Sequence, residues 1–396
     1  MNSGKPKLWT KEYIIIALIN FLIALNFYLL MIIVADYAMK KFNSPPGEAG
    51  FAASIFIIGA LFTRIFTGKW IARIGYKKML GWGLSGCLLM TLAYFPIDSV
   101  TLLFVVRFFH GAVFGFASTA TATIVSDIVP VERSGEGIGY YSLSQTLATA
   151  IGPFIGMFLS RHGSYSMIFT ACTIVAVLSL VMAPFLSLRK IELTEEQVNG
   201  MREFKLDSYV ETGVIPIALI CLLVYLCYSS IVSFIAVYAK EINMVNAAGF
   251  FFIVYAAVVL ISRPVAGRLF DLKGENSVMY PAFLIFAAGM LLFSRSCHGA
   301  SMLLSAVLVG LGFGAIQSST QTIAVKVTPR HRMGLANSTY FMFSDIGMGV
   351  GPLLAGLIIP FTGYRGMYMV AAVIALSCLF FYYLLHGRTA LKKRRS

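Results

Sequence analysis

Asp36, Arg107 and Asp345 are ionisable side chains set inside runs of sequence that are otherwise almost wholly apolar. A charge at membrane depth is costly, so each such residue is a functional candidate by default. Desolvation raises the pKa of a carboxylate, while a nearby guanidinium lowers it. A carboxylate balanced between those effects can hold a proton in one state and release it in another. Asp345 stands about eight residues inside its apolar run, or about 12 Å along a helix, and is the most deeply placed acid in the chain. Asp36 lies near the end of the first apolar run, at a depth similar to that of Arg107, and the two are predicted to pair. The plainer alternatives are that Asp36 faces water and that Asp345 makes a structural hydrogen bond to a neighbouring helix. Asp127 and Glu136 flank a short loop and read as structural acids.

Other chemistry finds little footing. The six cysteines fall in or beside apolar runs without a C-x-x-C pair, and read as small hydrophobes. The five histidines are dispersed, so no metal cluster is predicted. No G-x-x-x-x-G-K-[ST] pattern occurs, so no nucleotide is expected to be hydrolysed, and no cofactor is predicted.

Composition says which elements must position the three ionisable groups. Hydrophobic residues make up 58% of the 396 and charged ones only 12%, against about a quarter charged in a soluble domain. That much apolar surface belongs in a bilayer, whose core of about 30 Å needs about 20 apolar residues per helix. Twelve spans are predicted, at 13–37, 49–67, 79–95, 101–126, 137–159, 164–187, 213–238, 249–267, 279–296, 301–326, 337–361 and 366–386. Both termini on the cytoplasmic face of the cell membrane is the orientation that charge favours. Of 31 Lys and Arg, only Lys40, Lys41, Arg161, Lys240, Arg295 and Arg365 then fall in outer loops, as the positive-inside rule requires. The net charge of +14 thus reports topology and not nucleic-acid binding.

A repeat organises the spans. Arg64, Gly68 and Gly75 match Arg263, Gly267 and Gly274; Gly115, Pro130 and Arg133 match Gly314, Pro329 and Arg332. Every pair is offset by the same 199 positions, as Arg64 is from Arg263, without an insertion. The predicted fold is an all-α membrane protein of twelve transmembrane helices in two pseudo-symmetric six-helix bundles, 1–188 and 213–396. A charged, amphipathic cytoplasmic linker, 189–212, joins them, with one helix expected at the interface, and a basic tail ends the second bundle.

With these residues in view the chain resembles a major facilitator superfamily transporter over nearly its whole length, most of all the drug/proton antiporter branch with twelve helices. The family's loop signature G-x-x-x-D-[RK]-x-G-x-[RK]-[RK] reads here Gly68, Ala72, Arg73, Gly75, Lys77 and Lys78, with Ala72 in the acidic position. The second copy keeps the acid as Gly267, Asp271 and Gly274. The family's R-x-x-x-G pattern falls on Arg107 and Gly111, with His110 where Gln is common. The exporter signature G-x8-G-x3-G-P-x2-G-G reads Gly139, Ala148, Gly152, Pro153, Gly156 and Met157, with two glycines replaced. The resemblance implies a cavity that holds Arg107, and an acid near the start of the eleventh span at the Ala72 position. Without that acid a looser inner lock is expected.

From the residues themselves, Arg73 is predicted to pair with Asp127 and hold the inner side shut. The four-residue spacings Gly152–Gly156 and Gly347–Gly351 let backbones approach closely and are expected to set spans five and eleven against helices of the opposite half. Pro153 and Pro352 bend those helices. Dense packing alone is the competing account of both motifs.

Spans 1, 4, 7 and 10 line the cavity if the resemblance holds. They offer Asn20, Asn26, Tyr28, His110, Tyr225, Tyr228, Gln317 and Gln321, a mixture suited to an amphipathic or aromatic ligand. The expected function is proton-coupled efflux of small hydrophobic or amphipathic compounds by a monomer in contact with small-molecule substrate, protons and membrane lipids, and no nucleic acid. A proton-coupled importer or specific metabolite permease is the alternative. A membrane-embedded enzyme or signalling protein would need a catalytic cluster that the sequence does not show.

Overall fold

A computed structural model describes residues 6–162, 164–188 and 209–388. Most of the predicted linker (189–208), the helix expected within it, and the tail from 389 to 396 lie outside the described residues.

Among the described residues the long elements are all helices. They are α1 (Lys11–Phe42), α2 (Pro46–Ile74), α3 (Tyr76–Leu92), α4 (Val100–Ile128), α5 (Ser134–His162), α6 (Tyr165–Met182), α7 (Ile215–Glu241), α8 (Val245–Lys273), α9 (Asn276–Ser294), α10 (Gly299–Lys326) and α11 (Met333–Tyr382). Each predicted span overlies a helix. The last two share α11, which is broken where Gly363 adopts φ 66°. Local chemistry sets the ends. The Thr10 hydroxyl accepts from Tyr13 N at 3.2 Å and starts α1. Gly75 (φ 86°) and Gly274 (φ 79°) end α2 and α8 at matching points of the repeat, in a backbone region that favours glycine.

Nine helical stretches among the described residues are long and apolar enough to cross a membrane, where the sequence predicts twelve. The difference has physical sources. One stretch, residues 330–387, runs through two predicted spans. α3 is only 17 residues long, and α5 is diluted by glycine, serine and threonine. Large side chains such as Ile261 (74% exposed), Leu353 (69%) and Phe361 (89%) stand bare, an arrangement that lipid tails solvate and water does not.

The described residues gather into two compact units. One lies within Met1–Pro130, Ser144–Thr212 and Thr328–Phe341; the other within Val131–Leu143, Gly213–Val327 and Met342–Ser396. In the first, Leu29, Ile33 and Tyr37 of α1 pack with Ala52 of α2 and Phe169 of α6. Here α2 lies close on α4: a Cβ placed on Gly111 would stand 1.9 Å from Phe56 O. In the second, a Cβ on Gly312 of α10 would stand 2.5 Å from Phe286 N of α9. Bare backbone at these contacts is what lets the helices close up.

The glycines at 152, 347 and 351 do not behave as expected. A Cβ on Gly152 would meet Tyr28 Cβ of α1 at 2.6 Å. On Gly347 it would meet Leu222 O at 2.5 Å, and on Gly351 Leu226 O at 2.8 Å, both in α7. At these three glycines α5 therefore packs on α1 and α11 on α7, helices of their own predicted half, where the spacing was expected to set them against the opposite one. The sequence shows that a glycine stripe invites a helix but carries no sign of which helix.

Candidate functional site

In the first unit the site is built around Arg107 of α4, fully buried. Its Nε donates to Ala52 O at 3.0 Å and Nη2 to Ala53 O at 3.3 Å; Nη1 meets Tyr94 Oη at 3.5 Å. The guanidinium lies 4.6 Å from the Phe56 ring centre. Tyr94 Oη in turn meets His110 Nδ1 at 3.3 Å. All these partners are neutral, so the positive charge is held by carbonyl dipoles and a ring face. The expected Asp36–Arg107 pair is not made. Asp36, whose side chain is 39% exposed, pairs with Lys40 at 2.9 Å and accepts from Tyr165 Oη at 2.6 Å. Lys40 follows Asp36 by one helical turn, the spacing that favours such a pair.

Beside His110 lies a cavity of about 10 Å³, lined by Asn26, Phe27, Cys87, Phe114 and Ser179 among others, which is room for about one water. The structure places Asn26 as a tie between helices: its Nδ2 donates to Cys172 O of α6 at 2.9 Å and to Thr91 Oγ1 of α3 at 3.4 Å. Asn20 joins three helices, donating to Ser144 Oγ at 2.7 Å and accepting from Thr121 Oγ1 at 3.3 Å. Tyr28 packs edge-on against Phe27, with ring centres 4.9 Å apart.

The second unit gathers most of its predicted residues into one network. Gln317 Nε2 donates to Tyr225 Oη at 2.6 Å, and Gln317 Oε1 accepts from Arg263 Nη2. Arg263, fully buried on α8, also donates to Ser142 O at 2.6 Å and Gly314 O at 3.3 Å. Ser142 Oγ reaches Gln321 Oε1 at 3.5 Å. Tyr228 stacks on Phe313 at 4.0 Å and on Tyr255 at 5.7 Å. Arg263 is absent from the sequence-derived site; its signal was its position inside a span and its repeat partner Arg64. Asp345 is partly buried on α11, next to Ser344, whose Oγ lies 3.3 Å from Cys221 Sγ of α7.

The loop-end motifs fall into place separately. Lys77 donates to Leu186 O at 2.6 Å, while Arg73 and Lys78 are exposed. Asp127, expected to meet Arg73, takes a hydrogen bond from Tyr76. Asp271 accepts from Gly135 N at 2.8 Å and Glu136 N at 2.9 Å, with Lys326 at 3.8 Å. That caps the start of α5 and meets the positive end of its dipole. Gly267 and Gly139 give α8 and α5 close approach: Cβ atoms there would stand 2.5 Å from Gly135 O and 3.4 Å from Arg263 O. Pro153, Gly156 and Pro352 lie within α5 and α11.

Long apolar helices with bare outer faces, in each unit with a buried guanidinium among polar and aromatic side chains, define a multi-pass membrane protein. The Major Facilitator Superfamily profile matches residues 16–294 and 217–396; the chain belongs to that family and is a transporter, not an enzyme. An uncharacterised MFS-type transporter of Methanocaldococcus jannaschii is 24% identical over 297 residues, covering 72% of this chain and 75% of its own. The multidrug resistance protein MdtG of Salmonella paratyphi C is 24% identical over 331 residues, covering 81% of this chain and 82% of its own. The crystal structure of the human organic anion transporter MFSD10 (TETRAN) matches with TM-score 0.78 at 14% identity, covering 95% of this chain and 100% of that one. At that identity the likeness speaks for the fold alone.

Proposed function

We propose that this transporter is a proton-coupled exporter of small hydrophobic or amphipathic compounds, drug-like or endogenous, working by alternating access. In this reading it is a monomer of two six-helix bundles, 1–188 and 213–396, in the cell membrane with both termini cytoplasmic. The observation that carries it is the network of Arg263, Gln317 and Tyr225 beside the stacked rings of Tyr228 and Phe313. A few placed polar groups against aromatic faces suit an amphipathic ligand. The multidrug resistance protein among its relatives adds support for efflux. Asp345 is assigned the proton, with Asp36 as the alternative carrier and Arg107 as a fixed charge. One charge crossing 100 mV supplies about 2.3 kcal/mol before any pH difference is counted.

The test compares cells lacking the protein with cells overexpressing it, across a panel of toxic compounds and exported metabolites. Resistance that rises with expression, and falls when the proton gradient is collapsed, supports the reading. Sensitivity or uptake that rises with expression supports an importer or specific permease instead, which the polar set of Ser142, Gln321 and Gln317, joined through Arg263, favours. Asp345→Asn is expected to abolish gradient-driven export while the purified protein still binds ligand; full export by that variant removes Asp345 from the coupling role.

A further inference from the structure

The repeat relates two loop-end contacts that differ in their acids. In the second unit Gly267 of α8 packs on Gly135 at the start of α5. Two carboxylates secure that contact. Asp271 caps the helix start, and Glu136 binds Arg133 at 2.8 Å and Arg268 at 3.1 Å. The first unit repeats the backbone contact: a Cβ on Gly68 of α2 would stand 2.8 Å from Leu335 Cα and 3.0 Å from Gly334 O, at the start of α11. Its carboxylates are gone. Ala72 stands where the repeat has Asp271, and Leu335 where it has Glu136, while the bases persist as Lys69 for Arg268 and Arg332 for Arg133.

Both bases are met instead by residues just before α7. The Glu211 carboxylate, in a residue only 8% exposed, pairs with the Arg332 guanidinium. Glu211 N also donates to Thr339 Oγ1 at 2.9 Å. Lys69 Nζ donates to Tyr209 Oη at 3.3 Å and lies 4.3 Å from that ring's centre. Tyr209 also packs edge-on against Phe66 of α2 at 6.0 Å. Position 12 is the repeat counterpart of 211 and is also a glutamate, yet Glu12 has no ion pair among the described residues.

We infer that Tyr209 and Glu211 are positioning residues forming a clamp. It supplies from the segment between the halves what the repeat lost at Ala72 and Leu335, and it holds the start of α11 on α2. On the alternating-access reading proposed above, the clamp must release whenever that contact opens, so Tyr209 and Glu211 take part in gating. An alanine at position 72 therefore marks a lock whose acid has been moved, not a lock that has been loosened.

The experiment follows backbone hydrogen–deuterium exchange in the purified full-length protein. Glu211→Gln is expected to speed exchange at 333–341 about tenfold, as local opening becomes easier, with 134–141 unchanged. Adding Ala72→Asp to that variant is expected to restore slow exchange, since the new carboxylate occupies the repeat position of Asp271. Asp271→Asn is expected to give the mirror result, fast at 134–141 and unchanged at 333–341. Unchanged exchange at 333–341 in Glu211→Gln overturns the clamp, and so does an equal rise at 134–141, which reports general loosening. Failure of Ala72→Asp to restore protection overturns the substitution argument. The readout needs no substrate and no gradient, so it fails or succeeds independently of the exporter reading.

Discussion

Arg107 is a buried cation whose guanidinium is held, among the described residues, by two backbone carbonyls, one phenol and one ring face. Only a planar guanidinium presents donors in the directions that Ala52 O, Ala53 O and Tyr94 Oη require; an ammonium is a point charge on a flexible stem. Arg107→Lys is therefore expected to keep the charge and lose the geometry, cutting the transport rate by more than about tenfold, as measured by export of any compound the wild type handles. Asp36 shares no contact with Arg107, so Asp36→Asn and Arg107→Lys are expected to shift the melting temperature additively, as independent sites do. Coupling between them would restore the pair that the sequence suggested. At this scale the sequence was an uneven guide. It named Tyr225, Tyr228, Gln317 and Gln321, which the structure joins in one network. It left out Arg263, although its place inside a span and its repeat partner Arg64 were legible, because nothing in the sequence says which polar groups it faces. It misplaced the partner of Asp36 because depth was weighed, and the local partner Lys40, one turn away, was not.

Helices here are held by what their contact faces lack. A methyl group on Gly111 would be driven into Phe56 O at 1.9 Å, and backbone cannot step aside as a flexible side chain can. Gly111→Ala is expected to cost at least about 1–3 kcal/mol by overpacking, seen as a lower melting temperature or loss of folded yield. Gly249, also within a helix, has nothing within 4 Å of the same position. Gly249→Ala is expected to hold or raise stability by up to about 1 kcal/mol through helix propensity. Equal behaviour of the two variants would mean that α2 and α4 do not pack as described. Helix positions were legible because apolar length and turn glycines are local signals, and Gly75 and Gly274 mark equivalent ends. Partners were not legible. The stripes at 152 and at 347 to 351 look the same whether they receive a helix of their own half or of the other, and only the packed structure distinguishes the cases.

For the whole molecule, the strongest sequence signals were the two that accumulate over many residues, the repeat and the placement of basic charge. Each survives uncertainty about any single side chain, which is why the family was readable where the ligand was not. Orientation rests on charge alone, and the protein carries its own probe for it. Five of the six cysteines are buried, while Cys297, between α9 and α10, is exposed and free. On the proposed orientation, with positive charge kept inside, that loop faces the outside of the cell. A membrane-impermeant maleimide added to intact cells is therefore expected to label the unmodified chain, and Cys297→Ser to remove the label. Labelling that appears only after the membrane is opened would reverse the orientation. The turns at Lys77 and Lys273 sit at equivalent points of the repeat, an even number of predicted spans apart. Cysteines placed there must both react only from the side opposite to Cys297. Reaction from opposite sides would mean an odd number of crossings between them, and two six-helix halves of like orientation would no longer describe the chain.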